Sequence, residues 1–283
     1  MTPPTARLAI GVFDSGVGGL SVLREIRQRL PGEDLHYVAD SAFAPYGDRS
    51  AAYIEARTQA IAQFLLTKNA KALVVACNTA TGVAVSALRK QISIPIVAIE
   101  PAIKPAVAQT RSGVVGVLAT RQTVGSESVS RLLAAHGRDV RVLLQACPGL
   151  VELVEKGALD TPQTRSLLAT YITPLIKQGA DNLVLGCTHY PFLSHLIQEI
   201  AGPQVQIIDP APAVALQLQR RLATDGLLQT QDCEVGGEPV KGNTVFWTSG
   251  SLVQASAIMS ALWGHAVRAQ ALPAAYCRPP ESD

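Results

Sequence analysis

Two short segments place a cysteine where an apolar run ends and small hydrogen-bonding residues begin. Cys77-Asn78-Thr79 follows Ala72–Ala76, and Cys187-Thr188-His189 follows Leu183–Gly186. A cysteine just past a strand, beside the backbone N–H groups that open a helix, has its thiolate favoured. Taken singly, each reads first as a small buried apolar residue. Two at matching places change the weighing. KALVVACNTA aligns with DNLVLGCTHY at a spacing of 110 residues, which sets Leu73 on Leu183, Val74 on Val184 and Cys77 on Cys187. About one strand later IPIVAIEPA (94–102) resembles VQIIDPAPA (205–213), with Glu100-Pro101 set against Asp209-Pro210. Two matches in the same order point to a duplicated α/β unit, each copy presenting a thiol at a strand end. Thiols facing each other across one cleft suit proton transfer on both faces of a carbon acid. One thiolate removes the α-proton and the other thiol donates to the opposite face. A Cys–His–Asp hydrolase needs only one such nucleophile. His189, two residues past Cys187, is placed to tune it or to relay protons.

Two further segments could serve that chemistry. In FDSGVGGLSV (13–22), Asp14 and Ser15 sit at a strand end, and Gly16, Gly18 and Gly19 permit close backbone approach ahead of a helix N-terminus. Such a turn favours an anion, a carboxylate or a phosphate; the competing reading is an ordinary tight turn with Asp14 or Ser15 as helix cap. The GxGxxG fingerprint is absent and no GKS or GKT follows, so NAD and ATP are weak readings. In ADSAFAPYGDRS (39–50), Pro45-Tyr46-Gly47 reads as a turn with backbone N–H groups and one hydroxyl available, or else as a structural loop. A carbanionic intermediate would need fixed donors, which the glycine-rich turn and the Asn and Thr side chains can supply. No pyridoxal or metal motif is evident, so no cofactor is expected.

The elements that must position these residues alternate. Strands are expected at 8–13, 35–40, 72–76, 94–99, 113–119, 140–146, 183–186, 205–209 and 244–249, with helices at 20–30 and 51–67 and between most of the others. That alternation implies an α/β fold of mostly parallel sheets in two pseudo-symmetric domains, with the active site in the cleft between them. Proline cannot sit in a central strand, so Glu100-Pro101 and Asp209-Pro210 mark the expected crossings. One domain would be 1–99 plus 210–283, and the other 100–209. The chain has 283 residues, 48% of them apolar, and a formal charge of +2 with no basic block. It is long enough for a packed core and has no footprint for nucleic acid. No apolar run reaches membrane-spanning length and no signal peptide is read at the N-terminus, so a cytoplasmic location is expected. The five cysteines, Cys77, Cys147, Cys187, Cys233 and Cys277, form no CxxC pair and are expected as free thiols. Cys147, Cys233 and Cys277 are expected to be structural only. The tail PAAYCRPPESD is expected to fray or to lie on the surface.

FDSGVGGLSV, DSAFAPYGDRS, VVACNTATGVA, GVLATRQTVGS, ACPGLVELVEKG, LGCTHYPFL and FWTSG together resemble the aspartate/glutamate racemase family over nearly the whole chain, closest to its glutamate-specific members. The resemblance implies cofactor-independent interconversion of L- and D-glutamate. Cys77 would act on the D form and Cys187 on the L form, helped by Asp14 and His189 respectively. Ser15, Pro45, Tyr46, Gly47, Asn78, Thr79 and Thr188 match substrate-contacting positions, with Thr120 and Thr123 nearby. Glu155 matches an acidic residue on the His189 side, and Glu152 stands close enough to be the alternative. Leu150 and Glu152 depart from the family pattern, which usually has an aromatic residue and proline there. The family's D-glutamate feeds peptidoglycan synthesis. An aspartate racemase, or a non-catalytic bilobal carboxylate-binding module, would be the competing readings. A homodimer is left open.

Overall fold

A computed structural model describes residues 8–137, 139–229 and 241–278. Cys233 and the first seven residues, on which two expectations fell, lie outside the described residues. In chain order the strands are β1 (Ala9–Asp14), β2 (Asp34–Ala39), β3 (Ala70–Val75), β4 (Ile96–Ala98), β5 (Val114–Ala119), β6 (Arg141–Ala146), β7 (Asn182–Gly186), β8 (Gln206–Ile208), β9 (Thr244–Thr248) and β10 (Gln270–Ala271). They form a six-stranded sheet in the order β10-β9-β2-β1-β3-β4 and a four-stranded sheet in the order β6-β5-β7-β8. Every pairing is parallel. Parallel strands need crossovers, and helices supply them on both faces. The strands β1, β3 and β7 are therefore buried along their whole length and are apolar except for Asp14, Lys71 and Asn182.

The expected strands are present, two of them shortened by two residues or more: 94–99 contracts to Ile96–Ala98 and 205–209 to Gln206–Ile208. The duplication shows in the topology, since β2-β1-β3-β4 and β6-β5-β7-β8 are the same arrangement, extended in the first sheet by β9 and β10. Pairing register corrects one detail. Leu73 lies opposite Ile96 and Leu183 opposite Ile207. Ile96 is thus equivalent to Ile207, and the Glu100-Pro101 and Asp209-Pro210 pairs are two positions out of step. They are similar punctuation at different places.

Helix signals are local and legible. Ser50 Oγ accepts from the Tyr53 N–H at the start of the helix Ala51–Thr67, a side-chain cap that satisfies an otherwise orphaned donor. The helix Leu20–Arg29 buries Leu20, Leu23 and Ile26 and ends in Arg27 and Arg29, which suit the negative end of its dipole. Its cap is Gly19, with no side-chain bond, so neither Asp14 nor Ser15 caps it. One apolar cluster joins the sheets, running from Ile10 and Val12 of β1 through Leu20 and Leu23 to Leu183 and Leu185 of β7. The tail segment Ala274–Tyr276 is a short turn, and Tyr276 packs edge-on against Phe64 at 5.3 Å between ring centroids. No helix among the described residues is long and apolar enough to cross a membrane.

Candidate active site

Parallel pairing brings the strand C-terminal ends level. Asp14 lies opposite Ala39 in one sheet, and Ala119 lies opposite Ala146 and Gly186 in the other. The residues that follow these ends form two facing walls. Ser15, the loop Pro45–Gly47 and Cys77–Thr79 line one side of a narrow cleft; Thr120, Val151 and Cys187–His189 line the other. Both thiols thus reach one cavity from equivalent strand ends.

The Cys77 wall is a chain of short polar contacts. Cys77 caps the helix Asn78–Gln91, its Sγ accepting from the Ala80 N–H at 3.4 Å. On its other side Sγ stands 3.7 Å from Ser15 Oγ, which lies 3.3 Å from Asp14 Oδ1. Asp14 is fully buried behind Ser15; its carboxylate also accepts from the Gly16 N–H and the Thr188 hydroxyl, each at 2.7 Å. Burial raises the Asp14 pKa to about 6, against the lowering pull of His189 and those two hydrogen bonds. Burial, joined by the Asp14 charge, pushes the Cys77 thiol up to about 12 despite the Ala80 and Ser15 contacts. The expectation that a helix N-terminus would favour the Cys77 thiolate is therefore overturned. Desolvation outweighs one backbone N–H, so burial favours the neutral thiol at Cys77.

The Cys187 wall has the opposite character. His189 Nδ1 lies 3.7 Å from Cys187 Sγ and its Nε2 is 2.7 Å from Glu155 Oε1. Burial alone would lower the His189 pKa. The hydrogen bonds to Cys187 and Glu155, with the charges around them, outweigh it and hold the imidazole well above its ordinary value. A cationic ring thus stands beside Cys187. Glu155 also accepts from the Val17 N–H at 2.7 Å, so the glycine-rich turn does meet an anion as expected. That anion is a carboxylate of this chain, delivered from the other half, rather than a ligand. Glu152 is half-buried and lines a neighbouring pocket with Asp48 and Arg121, so the carboxylate that meets His189 is Glu155.

The remaining named residues divide. Thr79 Oγ1 lies 2.9 Å from Thr120 Oγ1 across the cleft, and Thr123 stands behind both, 3.3 and 3.0 Å from them. Asn78 is buried, and neither its Oδ1 nor its Nδ2 has a protein hydrogen-bond partner. A buried amide with both ends unpaired is costly and suits a ligand offering a donor and an acceptor. Tyr46 lines the cleft, but its hydroxyl, expected to be available, donates to Asp40 Oδ2 at 2.5 Å. Asp40 in turn takes a two-pronged bond from Arg57 at 2.9 and 2.8 Å, both side chains fully buried. Arg57 lies 3.7 Å over the Phe43 ring and donates to the Arg278 carbonyl, so this pair anchors the loop that carries Tyr46. Ser249, in the FWTSG stretch, accepts from the Ala42 N–H at 3.1 Å and braces the same loop. Sequence reasoning missed Asp40 and Arg57. The available signal was an arginine on the apolar stripe Ile54–Ile61–Leu65. Val151 carried none. Cys147 is buried with its thiol at 3.4 Å from the Gln145 carbonyl, and Cys277 donates to the Leu272 carbonyl. Among the described residues no group of three or more His, Cys, Asp and Glu is arranged to hold a metal ion.

The chain is similar to known proteins over most of its length. Residues 10–218 match the model of the Asp/Glu/Hydantoin racemase family. The chain is 50% identical over 267 residues to a glutamate racemase of Methylococcus capsulatus, covering 94% of this chain and 96% of that one. A glutamate racemase isoform of Bacillus anthracis superposes with a TM-score of 0.85 at 33% identity, covering 96% of this chain and 99% of that one. A Francisella tularensis glutamate racemase in complex with D-glutamate superposes with a TM-score of 0.80 at 26% identity, covering 95% and 98%. With a family model spanning most of its length and full-length relatives of this similarity, the chain belongs to the Asp/Glu/Hydantoin racemase family.

Proposed function

We propose that this protein interconverts L- and D-glutamate without a cofactor, with Cys77 and Cys187 as the two acid–bases. The observation that carries this is the pair of thiols reaching one cleft from equivalent ends of β3 and β7, with unlike surroundings. Cys187, beside a cationic His189, takes the α-proton of L-glutamate, and the ring stabilises the surrounding charge as it shifts. Cys77, held as a thiol, donates its proton to the opposite face of Cα and gives D-glutamate. The reverse reaction exchanges the roles. Glu155 orients His189, and Asp14 acts on Cys77 through Ser15. The unpaired Asn78 amide, the hydroxyls of Thr79, Thr120 and Thr188 and the backbone of Tyr46 and Gly47 hold the substrate's carboxylates and ammonium, with Thr123 fixing the Thr79–Thr120 pair. Such fixed donors favour the carbanionic state because they need not reorganise as charge develops.

The cleft encloses about 10 Å³, about one water-sized sphere. A dicarboxylate therefore enters only when the walls part. The division into 1–99 plus 210–283 and 100–209 supplies crossings about which they would move. The Francisella relative carries D-glutamate, which supports glutamate over aspartate here. D-glutamate made this way would supply peptidoglycan synthesis in the cytoplasm, with no nucleic-acid or membrane partner. The test is polarimetry of L-glutamate with protein dialysed against a chelator and a carbonyl-trapping reagent. Loss of rotation is expected, with much lower kcat/KM for aspartate, since a misplaced carboxylate leaves pocket groups unpaired. Activity that needs added pyridoxal phosphate or metal, or that is equal on aspartate, overturns the reading.

A further inference from the structure

Gly16 and Gly18 meet a requirement that their own backbone does not impose. Neither has φ in the left-handed region, so alanine suits both locally. The space where a Cβ would stand is filled from the other half of the molecule. At Gly16 it would overlap Glu155 Oε1 and lie 2.7 Å from its Cδ, and at Gly18 it would overlap His189 Nδ1 and lie 2.7 Å from its Cγ. These are not loose side-chain ends that swing aside. His189 is held at Nδ1 by Cys187 and at Nε2 by Glu155, and Glu155 is held by the Val17 N–H between the two glycines. Gly19 is different: its Cβ would meet Asp14 and Tyr37, residues of β1 and β2 in the same half of the molecule. Around the same turn Ser21 Oγ donates to the Thr188 carbonyl at 3.0 Å and the Thr188 hydroxyl to Asp14.

We propose that Gly16 and Gly18 form the closing seam of the active site, two positioning residues whose missing side chains leave the room into which Glu155 and His189 settle. This rests on the reading of His189 and Glu155 as the helpers of Cys187. A methyl group at residue 18 forces the ring back by more than about 1 Å to bring Nδ1 to ordinary contact, and a displacement of that size costs on the order of 10²-fold in rate. The substrate need never touch either glycine.

The test is a cycle of Gly18→Ala, His189→Ala and the double variant, followed by kcat/KM for glutamate and by thermal melting. Gly18→Ala is expected to lower kcat/KM by on the order of 10²-fold in the wild-type background and by less than about twofold in the His189→Ala background, where the ring is gone. Gly16→Ala should behave alike with Glu155→Ala. An equal loss in both backgrounds, or a near-wild-type Gly18→Ala enzyme, overturns the seam. A His189→Ala enzyme of wild-type rate instead removes the helper reading beneath it. If Gly18→Ala fails to fold, the seam requires the double variant to fold; failure of both overturns it.

Discussion

Removing the charge at Asp14 should make the protein more stable at neutral pH and less active. The carboxyl is fully buried and its pKa rises from 3.8 to about 6. The native state therefore binds the proton more tightly than the unfolded chain. Between these values the folded state holds more protons, so this group's contribution to stability falls as pH rises, and the cost is complete above about pH 6. A shift of about two units corresponds to roughly 3 kcal/mol. Asp14→Asn removes the titration and keeps an oxygen for the Gly16 N–H or the Thr188 hydroxyl. His189, held well above its ordinary pKa, stays cationic across the same range, so its attraction is already contained in the Asp14 value. Urea unfolding of both proteins from pH 4.5 to 8 measures the effect. The variant's stability relative to wild type is expected to climb by about 2 kcal/mol over this range, while racemisation falls. A difference that stays flat within about 1 kcal/mol, or that falls with rising pH, refutes the burial argument.

Cys77→Ala and Cys187→Ala should each lower glutamate racemisation by ~10²–10⁴-fold, the usual weight of an acid–base group; Cys147→Ala, assayed beside them, should alter melting more than turnover. Glu155→Gln removes a carboxylate that raises the His189 pKa, so the alkaline limb of the kcat/KM–pH profile should move to lower pH; an unmoved limb excludes the His189 cation as the group titrating there. Arg57→Met leaves the buried Asp40 charge unpaired and should cost about 3–5 kcal/mol, part of it recovered by adding Asp40→Asn; a urea-measured loss below about 1 kcal/mol would contradict the anchoring role of this pair.

Much of the frame was legible because it is written in local pattern. Apolar runs marked nearly every strand, and the spacing of Cys77 and Cys187 marked the duplicated strand ends that the shared strand order displays. What stayed hidden depends on partners distant in the chain. Val17 and Glu155 are 138 residues apart, and nothing near the glycine turn shows that its anion comes from within. The Cys77 expectation failed because helix-end polarity is a local property whereas desolvation belongs to the assembled cleft. The Tyr46 hydroxyl could not be placed without knowing that Asp40 and Arg57 lie behind it. Register, too, needed the pairings: the two acidic-proline pairs look equivalent as text, yet β4 and β8 end at different distances before them.

Deuterium incorporation from heavy water tests the two-thiol scheme most directly. A thiol carries one proton, so a proton taken by Cys187 from L-glutamate returns only to the face it left, and the product receives its proton from Cys77. At early conversion, mass spectrometry of the separated enantiomers should find deuterium at Cα of nearly every D-glutamate formed, with the remaining L-glutamate largely unlabelled. Starting from D-glutamate should give the mirror result. Rapid early labelling of the starting enantiomer, or protium carried into the product, would mean that one base serves both faces, and would contradict the division of work between Cys77 and Cys187.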